Sequence, residues 1–325
     1  MRYLKRVSLL ALVTALLLGL IAPSAIAVQP LLPTQMGERA YSYVEQLSSL
    51  NPKRIAATAG EVAAAEMVED WFEDVGYEAD LQPFSYVRRG VTYNSQNVVA
   101  FSPARIKHSL SPTPLVIVGA HYDAVDDGNG ADDNASGVGA MLEIAERIEK
   151  FPREYDLVFI AFGAEEAGLR GSAYYATHMS AEDKARSVVM INFDSLIVGD
   201  KLYIHAGENG LTEPRDEMLR LIRLHKLPIE MQPGLHPDYP AGTTPDGFSD
   251  YTAFRQAGLP IVAFESTNWE IGDLDGYEQT EEFGSFWHTE WDDLETIEAM
   301  LPGRPMVRLA AYTTLVVEYL KHVNP

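Results

Sequence analysis

The chain has 325 residues, 46% of them hydrophobic and 22% charged, so it can bury a large core and does not have the composition of a disordered protein. It contains no cysteine, which excludes disulfides, thiolate metal sites, a cysteine nucleophile and a lipid anchor on cysteine. The formal net charge of -22 argues against nucleic acid or an anionic membrane surface as a partner. Any metal would have to be held by nitrogen and oxygen ligands.

The first 27 residues have the pattern of a secretory signal peptide. Three basic residues precede an apolar stretch that runs to about residue 21, and the small-residue sequence "AIA" follows at residues 25–27. The alternative is an uncleaved anchor, for which this apolar stretch is short. We therefore predict a signal peptide at residues 1–27 and one domain at residues 28–325. The protein is expected to be secreted or periplasmic, with no membrane association after cleavage.

Helix-like and strand-like stretches then alternate along the chain. The first predicted helix, "EVAAAEMVEDWFEDVGY", ends at Gly76. The predicted strands are short and mostly apolar: "SQNVVAFS", "PLVIVGA", "DLVFIAF", "SVVMINF" and "LPIVAFE". Between them lie the predicted helices "GVGAMLEIAERIEK", "TEPRDEMLRLIRLHKL" and "SDYTAFRQAG". This alternation predicts a three-layer α/β sandwich with a mostly parallel, mixed central sheet.

Histidine and acidic residues follow three of these strands at the point where each strand ends. "PLVIVGA" is followed by His121 and Asp123, "DLVFIAFGA" by Glu165 and Glu166, and "SVVMINF" by Asp194. In open α/β sheets, ligands bind beyond the carboxyl ends of the strands. We therefore expect these side chains to lie close together at one edge of the sheet.

The stretch "HYDAVDDGNGADDNASG", residues 121–137, holds one histidine and five acidic residues. A solvated acidic turn is one interpretation, and a calcium loop is another, although calcium loops use oxygen ligands without histidine. Crowded carboxylates raise one another's pKa unless cations compensate them. Imidazole and carboxylate ligands suit catalytic zinc, and two zinc ions need a bridging carboxylate, which "GADDNASG" can supply. The sequence therefore predicts two Zn²⁺ ions per chain.

A two-zinc site needs a second histidine. His288 lies in "FWHTEWDDLETI", after the last predicted strand and before a helix, with acidic residues nearby. Other histidines lack acidic neighbours at useful spacing and are interpreted as surface or core residues: His108, His178, His205, His225 and His236. We therefore choose His288 as the partner of His121.

Five sequence blocks resemble a known family: "GAHYD…GADDNASG", "AFGAEEAGLRGS", "INFDS", "SDYTAFRQAGLPIVAFE" and "WHTEWD". In this order they are similar to the co-catalytic zinc aminopeptidases of metallopeptidase family 28, clan MH. The resemblance implies the zinc-exopeptidase fold, which is phosphorylase/hydrolase-like. It also implies a metallo-aminopeptidase that acts on the N-termini of peptides or proteins.

The resemblance also implies a role for each site residue. It implies five metal ligands, divided between two sites with one shared residue: His121 and Asp194 for one zinc, Glu166 and His288 for the other, and Asp133 as the bridge. Glu165 would be the general base, and Asp123 would orient His121. The residue pattern alone does not decide which of the adjacent Glu165 and Glu166 reaches a metal.

The sequence departs from the family at several positions. Trp287 stands where some relatives have tyrosine, so no side-chain donor to the oxyanion is assigned. The segment "GTTPDGFSD" lacks the cysteine pair that many relatives have there. The motif "SDY" replaces the common "SDH". Two alternatives stand beside the aminopeptidase, namely a single-zinc acyltransferase like glutaminyl cyclase and a catalytically inactive binding protein with the peptidase fold. Such relatives usually lose metal ligands, whereas this sequence has the expected residue type at all five ligand positions and at the base.

The segment "STNWEIGDLDGYEQTEEFGSF", residues 266–286, mixes aromatic and acidic residues between the last strand and His288. It is expected to form part of the pocket wall and to favour basic N-terminal residues, by stacking and by charge. The alternative is a solvated acidic loop whose aromatic side chains pack beneath it.

Overall fold

The strands in the described part of the protein form one sheet. The computed structural model describes residues 35–51, 53–106 and 112–323. In chain order its strands are β1 (Glu78–Arg88), β2 (Val91–Ser102), β3 (Leu115–His121), β4 (Asp156–Phe162), β5 (Ser187–Phe193), β6 (Lys201–Gly207), β7 (Ile229–Glu230), β8 (Thr243–Thr244) and β9 (Ile261–Thr267). The predicted signal peptide lies outside the described residues and stays a prediction.

The sheet has a parallel centre and antiparallel flanks. Its order is β1-β2-β4-β3-β5-β9-β6-β7, with β8 also paired to β6. Strands β4, β3, β5 and β9 run parallel to one another. The hairpin of β1 and β2 joins antiparallel to β4 on one side, and β6 joins antiparallel to β9 on the other. The mixed, mostly parallel sheet predicted from the sequence is confirmed.

Helices cover both faces of the sheet. The helices in the described part of the chain are α1 (Glu38–Ser48), α2 (Ala59–Val75), α3 (Ser136–Ile148), α4 (Arg170–His178), α5 (Ala181–Arg186), α6 (Glu213–His225), α7 (Tyr251–Gln256), α8 (Leu294–Met300) and α9 (Arg304–His322). None of them is long and apolar enough to span a bilayer. A further single turn, Ala131–Ala135, leads directly into α3.

Strand alternation divides the core between the two faces. On β3, Val116 and Val118 belong to a large cluster with α1, α2, α3, α6 and α9, whereas Leu115 and Ile117 belong to a second cluster with α4 and α7. All seven residues of β3 are buried. Removing so much apolar surface from water on both faces stabilises the sheet and explains the continuous apolar runs in the sequence. The predicted three-layer arrangement is therefore the observed one.

Some elements were not predicted. Strand β1 has a mixed polar and apolar sequence and lies at the edge of the sheet, paired with β2. Strand β6 begins with Lys201, although its other six residues are buried. Helices α1 and α9 pack against α3 and complete the larger core cluster. The four parallel central strands nevertheless have the predicted direction, which brings their carboxyl ends to one edge.

Candidate metal centre

Three neighbouring strands bring the predicted site residues to this edge. His121 is the last residue of β3, and Asp194 directly follows β5, which pairs with β3. Glu165 and Glu166 follow β4, on the other side of β3. The strand-end prediction thus places these side chains correctly, because parallel neighbours end at the same edge.

Asp133 joins two groups of possible metal ligands. Its Oδ1 lies 3.1 Å from Nε2 of His121, and its Oδ2 lies 3.2 Å from Nε2 of His288. The same nitrogen of His121 lies 3.4 Å from Oδ1 of Asp194, and the same nitrogen of His288 lies 3.1 Å from Oε2 of Glu166. All five residues that the family resemblance implied as ligands therefore meet, with Asp133 between the other two pairs.

The turn Ala131–Ala135 directs Asp133 into the site. Asp133 and Asn134 have non-helical backbone angles, and the peptide bond between them is cis. The backbone N–H groups of Asp132 and Asp133 donate to the two carboxylate oxygens of Asp292, at 2.6 and 3.1 Å. The side chain of Asn134 donates to the carbonyl of Phe193 at 2.9 Å, which ties the turn to β5.

The two adjacent acids of "GADDNASG" have different roles. Oδ1 of Asp132 accepts the backbone N–H groups of Ile197 and Val198, at 2.7 and 3.3 Å, and its Oδ2 accepts from Nε2 of Gln279 at 2.5 Å. Asp132 therefore holds the turn to neighbouring loops, and only Asp133 faces both histidines.

A glycine is required just after the turn, at position 137. A Cβ at Gly137 would lie 2.4 Å from Oδ1 of Asn134.

Asp123 lies beside the Nδ1 side of the His121 ring. Nδ1 of His121 lies 3.2 Å from the backbone carbonyl of Asp123 and 3.7 Å from its carboxylate. The carboxylate instead accepts the backbone N–H groups of Glu165 and Glu166, at 3.0 and 3.2 Å. Asp123 thus connects the loop after β3 to the loop after β4. A proton on Nδ1 leaves Nε2 of His121 available as a ligand.

Glu165 lines a cavity beside these groups. Its carboxylate accepts no hydrogen bond from the described residues, and one of its oxygens lies within 4.8 Å of ligand atoms of His121 and Glu166. Burial, together with the nearby charge of Asp250, raises the pKa of Glu165 well above its ordinary value despite the opposing effect of His121. The shift reflects how strongly burial and the neighbouring acids disfavour the charged form of Glu165.

The other groups of the site show the same crowding of charge. Burial and the charge of Asp133 raise the pKa of Glu166 to about 7. Hydrogen bonds with Asp133 and Glu166 raise the pKa of His288 to about 11. Burial would raise the pKa of Asp133, but hydrogen bonds with both histidines outweigh it and leave that pKa below its ordinary value. These pKa shifts show that carboxylates crowd the site and are stabilised by positive charge beside them.

Sequence reasoning missed several residues that support the site. The hydroxyl of Ser249 donates to Oδ2 of Asp194 at 2.6 Å, and the side chain of Asn192 donates to Ser249 at 2.8 Å. Arg54 is buried behind the site and donates to the carbonyls of Asn129 and Gly130, at 2.6 and 2.5 Å. Ser249 lies within the quoted motif "SDYTAF", which could have indicated it, whereas no motif contains Arg54.

The cavity has a volume of about 270 Å³. Besides Asp133, Glu165, Glu166, Asp194 and His288, its lining includes His205, Phe248, Tyr251, Glu265, Tyr277 and Trp287. Tyr277 comes from the aromatic and acidic segment 266–286, but no acidic residue of that segment lines the cavity in the described part of the chain. Trp287 lines the cavity as well, beside His288.

The residues present fit zinc. Imidazole and carboxylate groups are the nitrogen and oxygen ligands that zinc takes in catalytic sites, and Asp133 offers one oxygen to each side. Oε1 of Glu166 is buried and has no hydrogen-bond partner in the described residues, so it has capacity for a cation. Two of the compact groups of possible ligands are His121, Asp133 and Asp194, and Asp133, Glu166 and His288.

Comparison with known proteins agrees with this geometry. Residues 97–312 match the model of Peptidase family M28. The alkaline phosphatase isozyme conversion protein of Escherichia coli is 33% identical over 296 residues, which cover 82% of this chain and 85% of that protein. Aminopeptidase YwaD of Bacillus subtilis is 32% identical over 234 residues, which cover 69% of this chain and 46% of that protein. The chain thus spans less than half the length of YwaD.

Solved structures share the fold. A zinc aminopeptidase from Bacillus subtilis superposes with a TM-score of 0.68 at 18% identity, covering 88% of this chain and 95% of that one. A glutaminyl cyclase from Fimbriiglobus ruber superposes with a TM-score of 0.65 at 19% identity, covering 90% and 97%. The family match over two thirds of the chain and the 33% identity confirm the predicted kinship: this chain belongs to peptidase family M28.

Proposed function

We propose that this chain is a zinc aminopeptidase that uses two zinc ions to hydrolyse N-terminal residues from peptides or proteins. The observation that carries the proposal is Asp133, which offers one carboxylate oxygen to each of two imidazoles, beside the unpartnered carboxylate of Glu165. Membership of a peptidase family and similarity to a named aminopeptidase support the reaction class.

Five side chains would hold the metals. His121 and Asp194 would hold one zinc, Glu166 and His288 the other, and Asp133 would bridge them. Bound zinc would supply Lewis acidity at the scissile carbonyl. The zinc ions would supply the positive charge that the crowded carboxylates of the site otherwise lack.

The chain's own residues would carry the proton transfer. The carboxylate of Glu165 would take a proton from the attacking water and pass it to the nitrogen of the departing amine. The carbonyl of Asp123 would keep the proton of His121 on Nδ1, and the hydroxyl of Ser249 would hold Asp194 in place. These contacts orient groups that must not move during the reaction.

The size of the cavity supports an exopeptidase. A volume of about 270 Å³ suits one amino-acid side chain. We also propose that basic N-terminal residues are preferred and that the protein is exported. Export is supported by the basic, apolar and small-residue pattern of residues 1–27.

The test is a substrate panel measured together with metal content. Aminoacyl p-nitroanilides would be assayed with zinc-loaded and chelated protein, alongside Glu165→Gln and the control Glu154→Gln, which removes an exposed carboxylate outside the site. We expect two zinc ions per chain, activity that chelation abolishes, and loss of activity in Glu165→Gln but not in Glu154→Gln.

Three further measurements separate the alternatives. N-acetylated peptides should resist cleavage, because an aminopeptidase needs the free amine. Cyclisation of an N-terminal glutamine, with one zinc per chain, would instead assign the acyltransferase function that shares this fold. Zinc binding without turnover of any substrate would indicate an inactive binding protein.

A further inference from the structure

A two-stranded arm extends from the sheet at the edge that holds the metal centre. Strand β2 pairs with β4 through residues 98–102, and the earlier residues of β2 have no recorded partner on β4. Those earlier residues remain paired with β1, whose Gln82 lies opposite Asn97. Because β2 runs antiparallel to β4, this arm, residues 82–97, projects past the carboxyl end of β4.

One face of the arm packs against the loop that follows β4. Phe84 is buried in a small cluster with Ala164 and Ala167, which flank the two adjacent glutamates of the site, and Tyr86 packs against the same cluster. Arg88 lies on the same face of β1, because strand residues two apart share a face. The arm is therefore a neighbour of the metal centre.

Arg170, the first residue of α4, lies between the arm and the cavity. Its guanidinium carbon is 5.6 Å from the centre of the Tyr86 ring, and its Nε donates to the carbonyl of Ala167 at 3.1 Å. A Cβ at Gly168, which lines the cavity, would lie 3.4 Å from Nη2 of Arg170. Nη1 and Nη2 have no partner in the described residues, so their N–H groups are available to a ligand.

Arg88 supplies a second guanidinium near the Tyr86 hydroxyl. Arg88 is exposed, and the Tyr86 hydroxyl forms no hydrogen bond with the described residues. Burial and the charges of Glu61 and Asp123 raise the pKa of Tyr86, whereas the charges of Arg88 and Arg170 oppose that rise. Both guanidinium groups thus lie close enough to this hydroxyl to act on it electrostatically.

These three groups suit a carboxylate. A guanidinium presents paired N–H donors that match the two carboxylate oxygens, and a phenol hydroxyl can donate as well. The chain has 47 acidic residues, yet none in the described part forms an ion pair with Arg88 or Arg170. A ligand would have to supply the negative charge.

The position of the arm indicates which part of a substrate it meets. The cavity extends toward β9 and β6, whose residues Phe264 and His205 line it, whereas the arm lies on the other side of the metal ligands, beside β4. A substrate with its N-terminal side chain in the cavity would extend from the metals toward the arm. Arg170 lies beside Gly168, two residues after Glu166, and an extended chain spans about 3.3–3.6 Å per residue, so it would reach Arg170 within about three residues.

We propose that the arm and Arg170 dock the part of the substrate that follows its N-terminal residue, and that Arg88, Arg170 and Tyr86 select an acidic side chain there. The inference rests on the proposed aminopeptidase function. It concerns residues beyond the cleaved bond and does not depend on which N-terminal residue is removed.

The experiment compares peptides that share their N-terminal residue and differ at one later position, which holds glutamate in one peptide and glutamine in the other. The ratio of their kcat/KM values would be measured with the zinc-loaded wild type for each later position in turn. We expect a preference for glutamate of at least about fivefold at a position within about three residues of the cleaved bond, because charge-assisted hydrogen bonds are the stronger ones. Physiological salt, with a Debye length of about 8 Å, limits repulsion from acids elsewhere on the protein.

Arg88→Gln and Arg170→Gln should each lower this preference at least about twofold, mainly through KM, because the docked residue is remote from the reacting bond. Arg170→Lys, which keeps the charge but loses the paired donors, should retain part of it. The matched control is Arg223→Gln, which removes an exposed arginine of α6, a helix that packs against α9 and β6 at the other end of the sheet. The control should leave the preference unaltered.

A wild type that cleaves the glutamate and glutamine peptides equally well at every position would overturn the assignment and leave the proposed aminopeptidase standing. An unchanged preference in both Arg88→Gln and Arg170→Gln would also overturn it. So would a loss of preference in Arg223→Gln that equals the loss in those two variants.

Calorimetric binding of the same peptides to zinc-loaded Glu165→Gln supplies a readout that needs no turnover, because this variant lacks the proposed base. Tighter binding of the glutamate peptide supports the docking surface, and equal binding contradicts it. A protein that binds the glutamate peptide selectively, while its wild type cleaves no peptide, would refute the proposed aminopeptidase and leave the docking surface standing.

Discussion

Glu165 and Glu166 are adjacent in the sequence, but their carboxylates have different surroundings. Oε2 of Glu166 lies 3.1 Å from Nε2 of His288, as a ligand to a shared metal would. The carboxylate of Glu165 has no hydrogen-bond partner in the described residues and lines the cavity where a substrate would lie. The residue pattern left these two positions open, and on these surroundings we propose Glu165 as base and Glu166 as ligand.

This difference predicts opposite effects of two similar substitutions. Glu165→Gln should retain both zinc ions and lower kcat by roughly 10² to 10⁴, because general-base catalysis contributes about that factor. Glu166→Gln should weaken zinc binding. Metal analysis by mass spectrometry and steady-state kinetics on the same samples would check both results. Loss of zinc from Glu165→Gln would reverse the assignment.

At the scale of elements, the turn Ala131–Ala135 depends on a residue far away in the sequence. Asp292 precedes α8 and accepts two backbone N–H groups of the turn, at 2.6 and 3.1 Å. Burial and the charges of Asp132 and Asp133 raise the pKa of Asp292 well above its ordinary value. The contact therefore places Asp133 despite the repulsion between these acids.

Asp292→Asn should weaken zinc binding without removing any proposed ligand. The NH₂ group of the new amide would face a backbone N–H of the turn and cannot accept its hydrogen bond. Asp133 would therefore lose part of the support that Asp292 gives to the turn. Loss of such an outer contact typically costs about 10–100-fold in metal affinity. Zinc titration against a competing chelator would measure the change. Asp127→Asn, an exposed acid in the same loop, should leave zinc affinity unaltered; equal affinities in both variants would contradict this role of Asp292.

At the scale of the whole molecule, metal binding should contribute to folding stability. A ligand that binds only the folded state stabilises it by about 2.7 kcal/mol at a hundred times its Kd. For a domain of this size, that corresponds to a rise in Tm of roughly 4 °C. Thermal unfolding of chelated protein with and without added zinc would measure it, with calcium as the comparison ion. A Tm that calcium raises more than zinc would argue against the proposed site.

The stability of the metal-free protein should fall as the pH rises from about 4 to about 7. Burial raises the pKa of four acidic side chains to about 7: Glu61, Asp132, Glu166 and Asp250. Their ordinary values are 4.5 for Glu and 3.8 for Asp, so the unfolded chain releases these protons first and gains stability relative to the folded state as the pH rises. The raised pKa of His288, about 11, acts in the same direction at higher pH.

Thermal unfolding of chelated protein at pH 5, 6, 7 and 8 would test this expectation. The Tm of the metal-free form should decrease along the series, and added zinc should reduce the decrease, because it binds the ionised carboxylates and the neutral imidazoles. A Tm of the metal-free form that increases with pH would show that these buried acids do not control its stability.

The amino-acid sequence by itself determined the fold class and the main residues of the candidate site. Continuous apolar runs such as "PLVIVGA" predict strands buried on both faces, and helices between them predict a parallel sheet. Once the strands are parallel, their carboxyl ends must meet at one edge, so His121, Glu166 and Asp194 could be grouped without coordinates. The need for a second histidine then added His288, and the family motifs added Asp133 as the bridge.

Only the tertiary structure decided how these residues are supported and what else faces the cavity. The bond from the turn Ala131–Ala135 to Asp292 joins residues about 160 positions apart, and the proximity of His205 and Glu265 depends on the antiparallel pairing of β6 with β9. Local sequence patterns report the periodicity of one segment, whereas these contacts depend on the register between distant segments. Register is set by the packing of the entire core, which no single stretch of sequence contains.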